Sequence, residues 1–147
     1  MKLRTLCIGA AAACVLSAAA FAATAAMHPE LGAKLTGKHE VPTGSPVGHG
    51  IVNLNLKAGS GKVCWTFEIV GLPKPKFAHI HKAPAGKAGP IVVALGRTYK
   101  AKGCTSAPKN TIEAIESNPN AYYFNVHTAK YPNGAIRGQL VAGMVHM

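Results

Sequence analysis

The segment Lys62–Val70 alternates without a break: Val63, Trp65, Phe67 and Ile69 fall on one side, and Cys64, Thr66 and Glu68 on the other. Period two is the repeat of a pleated strand, so this stretch offers one face to a core and one to water, as a half-buried antiparallel strand does. Such a strand needs neighbours to take its backbone hydrogen bonds. The rest of the chain must therefore supply a sheet.

Candidate partners recur between turn signals. Leu31 to Val41 is followed by the turn-like Pro42-Thr43-Gly44-Ser45-Pro46, and Gly50 to Lys57 connects to Lys62 through Ala58-Gly59-Ser60-Gly61. After a break at Gly71-Leu72-Pro73-Lys74-Pro75 come Phe77 to His81, a loop from Pro84 to Gly89, and the apolar run Ile91 to Leu95. Arg97 to Lys109 reads as irregular, and Thr111 to Ser117 as one or two helical turns ended by Asn118-Pro119-Asn120. Ala121 to Thr128 and Ile136 to Ala142 flank the turn Tyr131-Pro132-Asn133-Gly134. About seven short strands at this spacing predict an all-β fold, a Greek-key β-sandwich.

Residues 1–25 are of another kind. Lys2 and Arg4 precede a short alanine-rich apolar run to Phe21, the pattern of a signal peptide, with small residues permitting cleavage after Ala22 or Ala25. The run is too short and too alanine-rich for a permanent transmembrane anchor. Export to the periplasm or the extracellular space is the expectation. Cys7 and Cys14 go with the signal, leaving Cys64 and Cys104 as one expected disulfide. Closing that loop would remove roughly 3 to 4 kcal/mol of unfolded-state entropy. The rival use of the two thiolates as metal ligands lacks the close Cys-x-x-Cys spacing of structural zinc sites.

Loss of Lys2 and Arg4 takes Lys+Arg from 16 to 14, against five glutamates and no aspartate, which leaves the mature chain near +9. A basic exported domain can lean on anionic lipids, cell-wall polymers or acidic polysaccharides through counterion release. Its lysines are scattered singly, without the basic stripe and interleaved aromatics of a nucleic-acid surface, so no nucleic-acid partner is expected.

Strand parity then assembles a candidate metal site. In an extended segment His79 and His81 share a face, opposite Ala78 and Ile80. Near the end, Tyr122, Phe124 and Val126 make the apolar side of their strand, leaving Tyr123, Asn125 and His127 on the other. Should these two strands lie close, His127 completes a three-imidazole cluster suited to copper or zinc, with a coordination position left open. The bland alternative is that the histidines hydrogen-bond to the glycine-rich loop and hold it in place.

These residues also carry a resemblance. Leu35-Thr36-Gly37-Lys38-His39-Glu40-Val41-Pro42, Gly71-Leu72, Ala78-His79-Ile80-His81 through Gly89-Pro90, and Tyr123 through Leu140 with its Asn133-Gly134-Ala135-Ile136-Arg137-Gly138-Gln139 resemble, in order, the chordin-type (CHRD) domain over residues 31–143. The family includes animal chordin and small exported bacterial proteins. It implies an immunoglobulin-like or superoxide-dismutase-like sandwich of about seven or eight strands. By that likeness His79 and His81 resemble the paired copper ligands of Cu,Zn superoxide dismutase, His127 its late copper ligand, and Arg137 its anion-guiding arginine. A binuclear site is not expected, because no histidine lies between His81 and His127 and the chain has no aspartate. Lys82-Ala83-Pro84 also departs from the small, glycine-rich segment that usually follows the paired histidines. The growth-factor antagonism of chordin does not carry over to a lone domain.

Three functions compete on this reading: a binding module holding copper or zinc at His79, His81 and His127; a mononuclear copper dismutase-like enzyme assisted by Arg137; and a basic envelope or matrix adhesion module without metal. Glu40 and Asn125 are second-rank site residues, and Glu40 is expected to form a structural ion pair with Arg137. The termini add two weaker copper ideas. Cleavage after Ala25 would give Ala26-Met27-His28, a free amine with histidine third, and Met144, His146 and Met147 offer thioether and imidazole at the other end.

Overall fold

A computed structural model of the chain describes residues 30–147, and there every run with period-two alternation becomes a strand. The strands are β1 (Glu30–Thr36), β2 (His49–Lys57), β3 (Lys62–Val70), β4 (Phe77–Lys82), β5 (Ile91–Ala94), β6 (Lys102–Ser106), β7 (Tyr122–His127), β8 (Ile136–Gln139) and β9 (Val141–Ala142), with one helix, α1 (Lys109–Ser117). The expected signal segment and His28 lie outside the described residues. Among those described, no helix is long and apolar enough to cross a membrane.

The strands run in the order β5-β4-β7-β8-β1-β2-β3-β6, all antiparallel, with β9 alongside β1. The sheet curls until it nearly closes, and its inner face is the core. Leu31 and Leu35 of β1, Leu54 and Leu56 of β2, Trp65 and Phe67 of β3, Ile80 of β4 and Phe124 of β7 all point inward and are buried. Phe67 and Phe124 belong to strands far apart in the sheet, yet their rings meet edge to face at 5.1 Å. That contact crosses the interior and shows how the curl is filled. Ile112 and Ile115, on one side of α1, are also fully buried in the core.

The fold is the all-β one expected, with nine strands in place of seven or eight. The added strand is β6, expected as irregular chain. Its residues Lys102 to Ser106 carry no apolar alternation because it is an edge strand, paired only with β3 and half exposed throughout. Cys104 sits directly opposite Cys64 in that pairing, and the two form the disulfide. The last expected strand is split between β8 and β9 at Leu140, whose N–H turns to the Tyr122 carbonyl. The first ends at Thr36 instead of Val41, because Gly37–His39 winds into a short 3₁₀ turn closed by Glu40 N–H on the Gly37 carbonyl.

The disulfide spans 40 residues, which in chain-entropy terms is worth about 4 kcal/mol. Replacing both cysteines by alanine is expected to lower the unfolding free energy by that amount in urea titration; a loss below about 1 kcal/mol would place the stabilisation elsewhere.

Candidate metal centre

The outer face of the β4–β7 pair follows from its inner one. Ile80 stands opposite Phe124 and Ala78 opposite Val126, all four buried. Parity then forces His79, opposite Asn125, and His81, opposite Tyr123, to the outside, with His127 one pair further along. The three imidazoles converge there: each offers a nitrogen, and these lie within 4.8 Å of one another. His79 Nδ1 is 3.2 Å from His127 Nε2.

The other side of two rings is already committed. His81 Nδ1 meets the Gly89 carbonyl at 2.8 Å, and His127 Nδ1 meets the Pro132 carbonyl at 2.9 Å. A carbonyl only accepts, so each neutral ring carries its hydrogen on Nδ1 and keeps a lone pair on Nε2. His127 Nε2 lies 3.2 Å from His79 Nδ1 and 3.1 Å from the end of the Asn125 amide, which must present its NH2 there for the Nε2 lone pair to accept from it. His81 Nε2 is buried and makes no hydrogen bond of ordinary geometry, although the Asn125 side chain is near enough to pull its pKa upward against burial.

A loop roofs this face, and side chains from three strands hold it. Arg137 of β8, only 2% exposed, donates from Nη2 to the Lys87 carbonyl at 2.6 Å and the Pro84 carbonyl at 3.4 Å. Its guanidinium carbon lies 3.5 Å from the Tyr123 ring centroid, and Tyr123 stacks in turn on His81 at 4.8 Å. Gln139 donates to the Ala83 carbonyl, and Gly89 N–H to the Tyr123 hydroxyl. Gly89 has to be glycine, because a Cβ there would collide with the Lys82 carbonyl. Over His81 and His127 lies a cleft of about 360 Å³, lined also by Glu40, Asn125, Pro132 and Arg137.

The CHRD domain family model matches residues 31–140, three-quarters of the chain and all of these strands but β9. The chain belongs to the CHRD domain family. No curated protein and no solved structure matches it, so the dismutase comparison stands on the local likeness of residues alone.

The CHRD domain brings together the three histidines and Asn125, which parity puts on one face, and Arg137, which the family resemblance adds, and places the remaining candidates differently. Glu40 lines the same cleft and is buried, but it does not reach ion-pair distance of Arg137; among the described residues the ion pair formed is Lys109–Glu113 on α1. One Glu40 oxygen has no hydrogen-bond partner. Burial raises this carboxyl to about 7, against the opposing pull of the Arg137 charge and a backbone hydrogen bond from Val41. Met144 lines a separate groove beside Trp65 and the disulfide, and His146 and Met147 are exposed on the tail. None of the three joins the histidine group. Parity puts Tyr123 on the face of Asn125 and His127, and Gly89 closes the motif that holds His81, but neither residue type carries a metal-binding role by itself.

Burial lowers all three imidazoles. His79 falls to about 4, first through desolvation and then through the neighbouring His127 and His81. For His81 and His127 the same desolvation outweighs their carbonyl hydrogen bonds. The metal-free domain should therefore hold a neutral His79 ring down to about pH 4. Proton NMR of the ring is expected to show that titration; a midpoint near 6.5 would contradict the geometry.

Proposed function

We propose that this CHRD domain is an exported binding module that holds one copper ion at His79, His81 and His127. The observation that carries the reading is the buried Nε2 of His81, which makes no hydrogen bond of ordinary geometry, set beside a second lone pair on His127 while both Nδ1–H groups are held by backbone carbonyls. Fixing the far nitrogen of a ring by an outer hydrogen bond is how proteins orient imidazole ligands. The separations suit a metal: two nitrogens each about 2.0 to 2.1 Å from an ion in tetrahedral array are about 3.3 Å apart. His79 and His127 already stand at 3.2 Å, and small ring movements bring His81 in. The apolar, alanine-rich N-terminal segment supports export.

Copper is favoured over zinc because an imidazole-only site follows the Irving–Williams order, in which Cu(II) binds most tightly. Bound there, the ion would supply a Lewis-acid and redox centre with an open position. A binding module accounts for Arg137 better than a dismutase-like enzyme does, since an anion-guiding guanidinium must keep N–H groups free and this one is buried on loop carbonyls. The histidine-to-loop bond at Gly89 is part of both readings of these residues, as outer partner of a ligand and as anchor of the loop.

Titration of the purified protein with Cu(II) is expected to reach one ion per chain. His127→Ala or His79→Ala should weaken binding at least about a hundredfold, beyond the effect typical of losing an outer partner. Equal affinity in all three proteins would remove the site. Because burial lowers all three rings, His79 to about 4, acid should compete poorly. An unperturbed imidazole of pKa 6.5 would lose about thirtyfold in available lone pair between pH 7 and 5, so the fall in copper affinity over that interval is expected to be smaller than thirtyfold per ligand.

A further inference from the structure

One end of the barrel combines features that the histidine site does not use. The β1–β2, β3–β4 and β7–β8 connections all emerge there, because Thr36 pairs with His49, His49 with Val70, and Phe77 with His127. Four of the large apolar side chains left exposed lie in or beside these connections: Val41 at 42%, Val47 at 67%, Val70 at 49% and Phe77 at 41%. Val47 lines a groove of about 440 Å³, floored also by Leu72, Pro73 and Tyr131 and rimmed by Lys74, Lys76 and Lys130. The three lysines are exposed, and in the three connections the one carboxylate, Glu40, is buried. At the opposite end, α1 carries Glu113 and Glu116.

We propose that this end is a docking face for an anionic lipid surface, with Val47 and its apolar neighbours entering the interface and Lys74, Lys76 and Lys130 meeting phosphates. An exposed apolar tip flanked by cations, with no exposed carboxylate in the three connections and the nearest one, Glu68, two residues back along β3, is the combination that interfacial binding rewards. A soluble acidic polymer would use the lysines and leave the apolar floor in contact with water, which is why the lipid is the better fit. The face shares no histidine with the metal centre, although the β7–β8 connection serves both, through Tyr131 here and the Pro132 carbonyl there, and Phe77 stacks on His79; vesicle binding without copper and copper binding without vesicles are separate measurements, so either assignment can fail alone.

Sedimentation with vesicles tests it. The purified protein is expected to follow vesicles containing phosphatidylglycerol and to stay in solution with phosphatidylcholine alone. Reversing Lys74, Lys76 and Lys130 to glutamate should lower partitioning at least about a hundredfold, at about fivefold per lysine. Val47→Asp should lower it about tenfold. Lys57, Lys62 and Lys109, at the other end, give the same change in net charge when reversed and should leave binding largely intact. Circular dichroism checks that each variant folds. Absence of binding to the anionic vesicles would overturn the proposal. So would equal losses from the two triple reversals, an unchanged Val47→Asp, or binding of a soluble acidic polysaccharide as tight as that of the vesicles and indifferent to Val47.

Discussion

The register between β4 and β7 is the constraint on which the site depends. With Ile80 opposite Phe124 inside the barrel, a pleated sheet leaves no choice about where His79, His81, Asn125 and His127 point. A slip of one residue would drive the imidazoles into the core and Ile80 into water. The hydrophobic effect on the inner face thus sets the polar constellation on the outer one. The histidines need no interaction with each other to be brought together.

What the register assembles, the loop after β4 encloses. Its carbonyls face inward and meet donors from two strands: Arg137 and Gln139 of β8 and His81 of β4. A buried guanidinium is costly unless its N–H groups are satisfied. Here the roof supplies two carbonyls and Tyr123 a ring face, so closing the loop and burying the cation are one event. The enclosure desolvates the imidazoles and Glu40 together. It lowers the former and raises the latter, which favours neutral forms throughout the cleft and leaves lone pairs in place of charges.

Much of this was legible in the residues. Val63, Trp65, Phe67 and the inner faces of β4 and β7 were readable because alternation is local, and the His79–His81–His127 set followed from the same parity. β6 was not legible, since an edge strand of Lys102, Gly103 and Ser106 buries almost nothing and leaves no pattern. The expected Glu40–Arg137 pair failed for a related reason. Opposite charges predict attraction, but the guanidinium is claimed by carbonyls of a loop some 50 residues away in sequence.

By itself the sequence determined which side of each strand faces the core, that two cysteines were available to pair, and which imidazoles could share a face. All of these are short-range properties of a chain whose side chains alternate. Tertiary structure alone decided that β4 lies beside β7, that the roof closes over Arg137 and Tyr123, and that His81 is left with a buried lone pair and no hydrogen bond of ordinary geometry to it. Those are long-range matters, set by how a nine-stranded sheet curls to bury its inner face, and no local repeat encodes them.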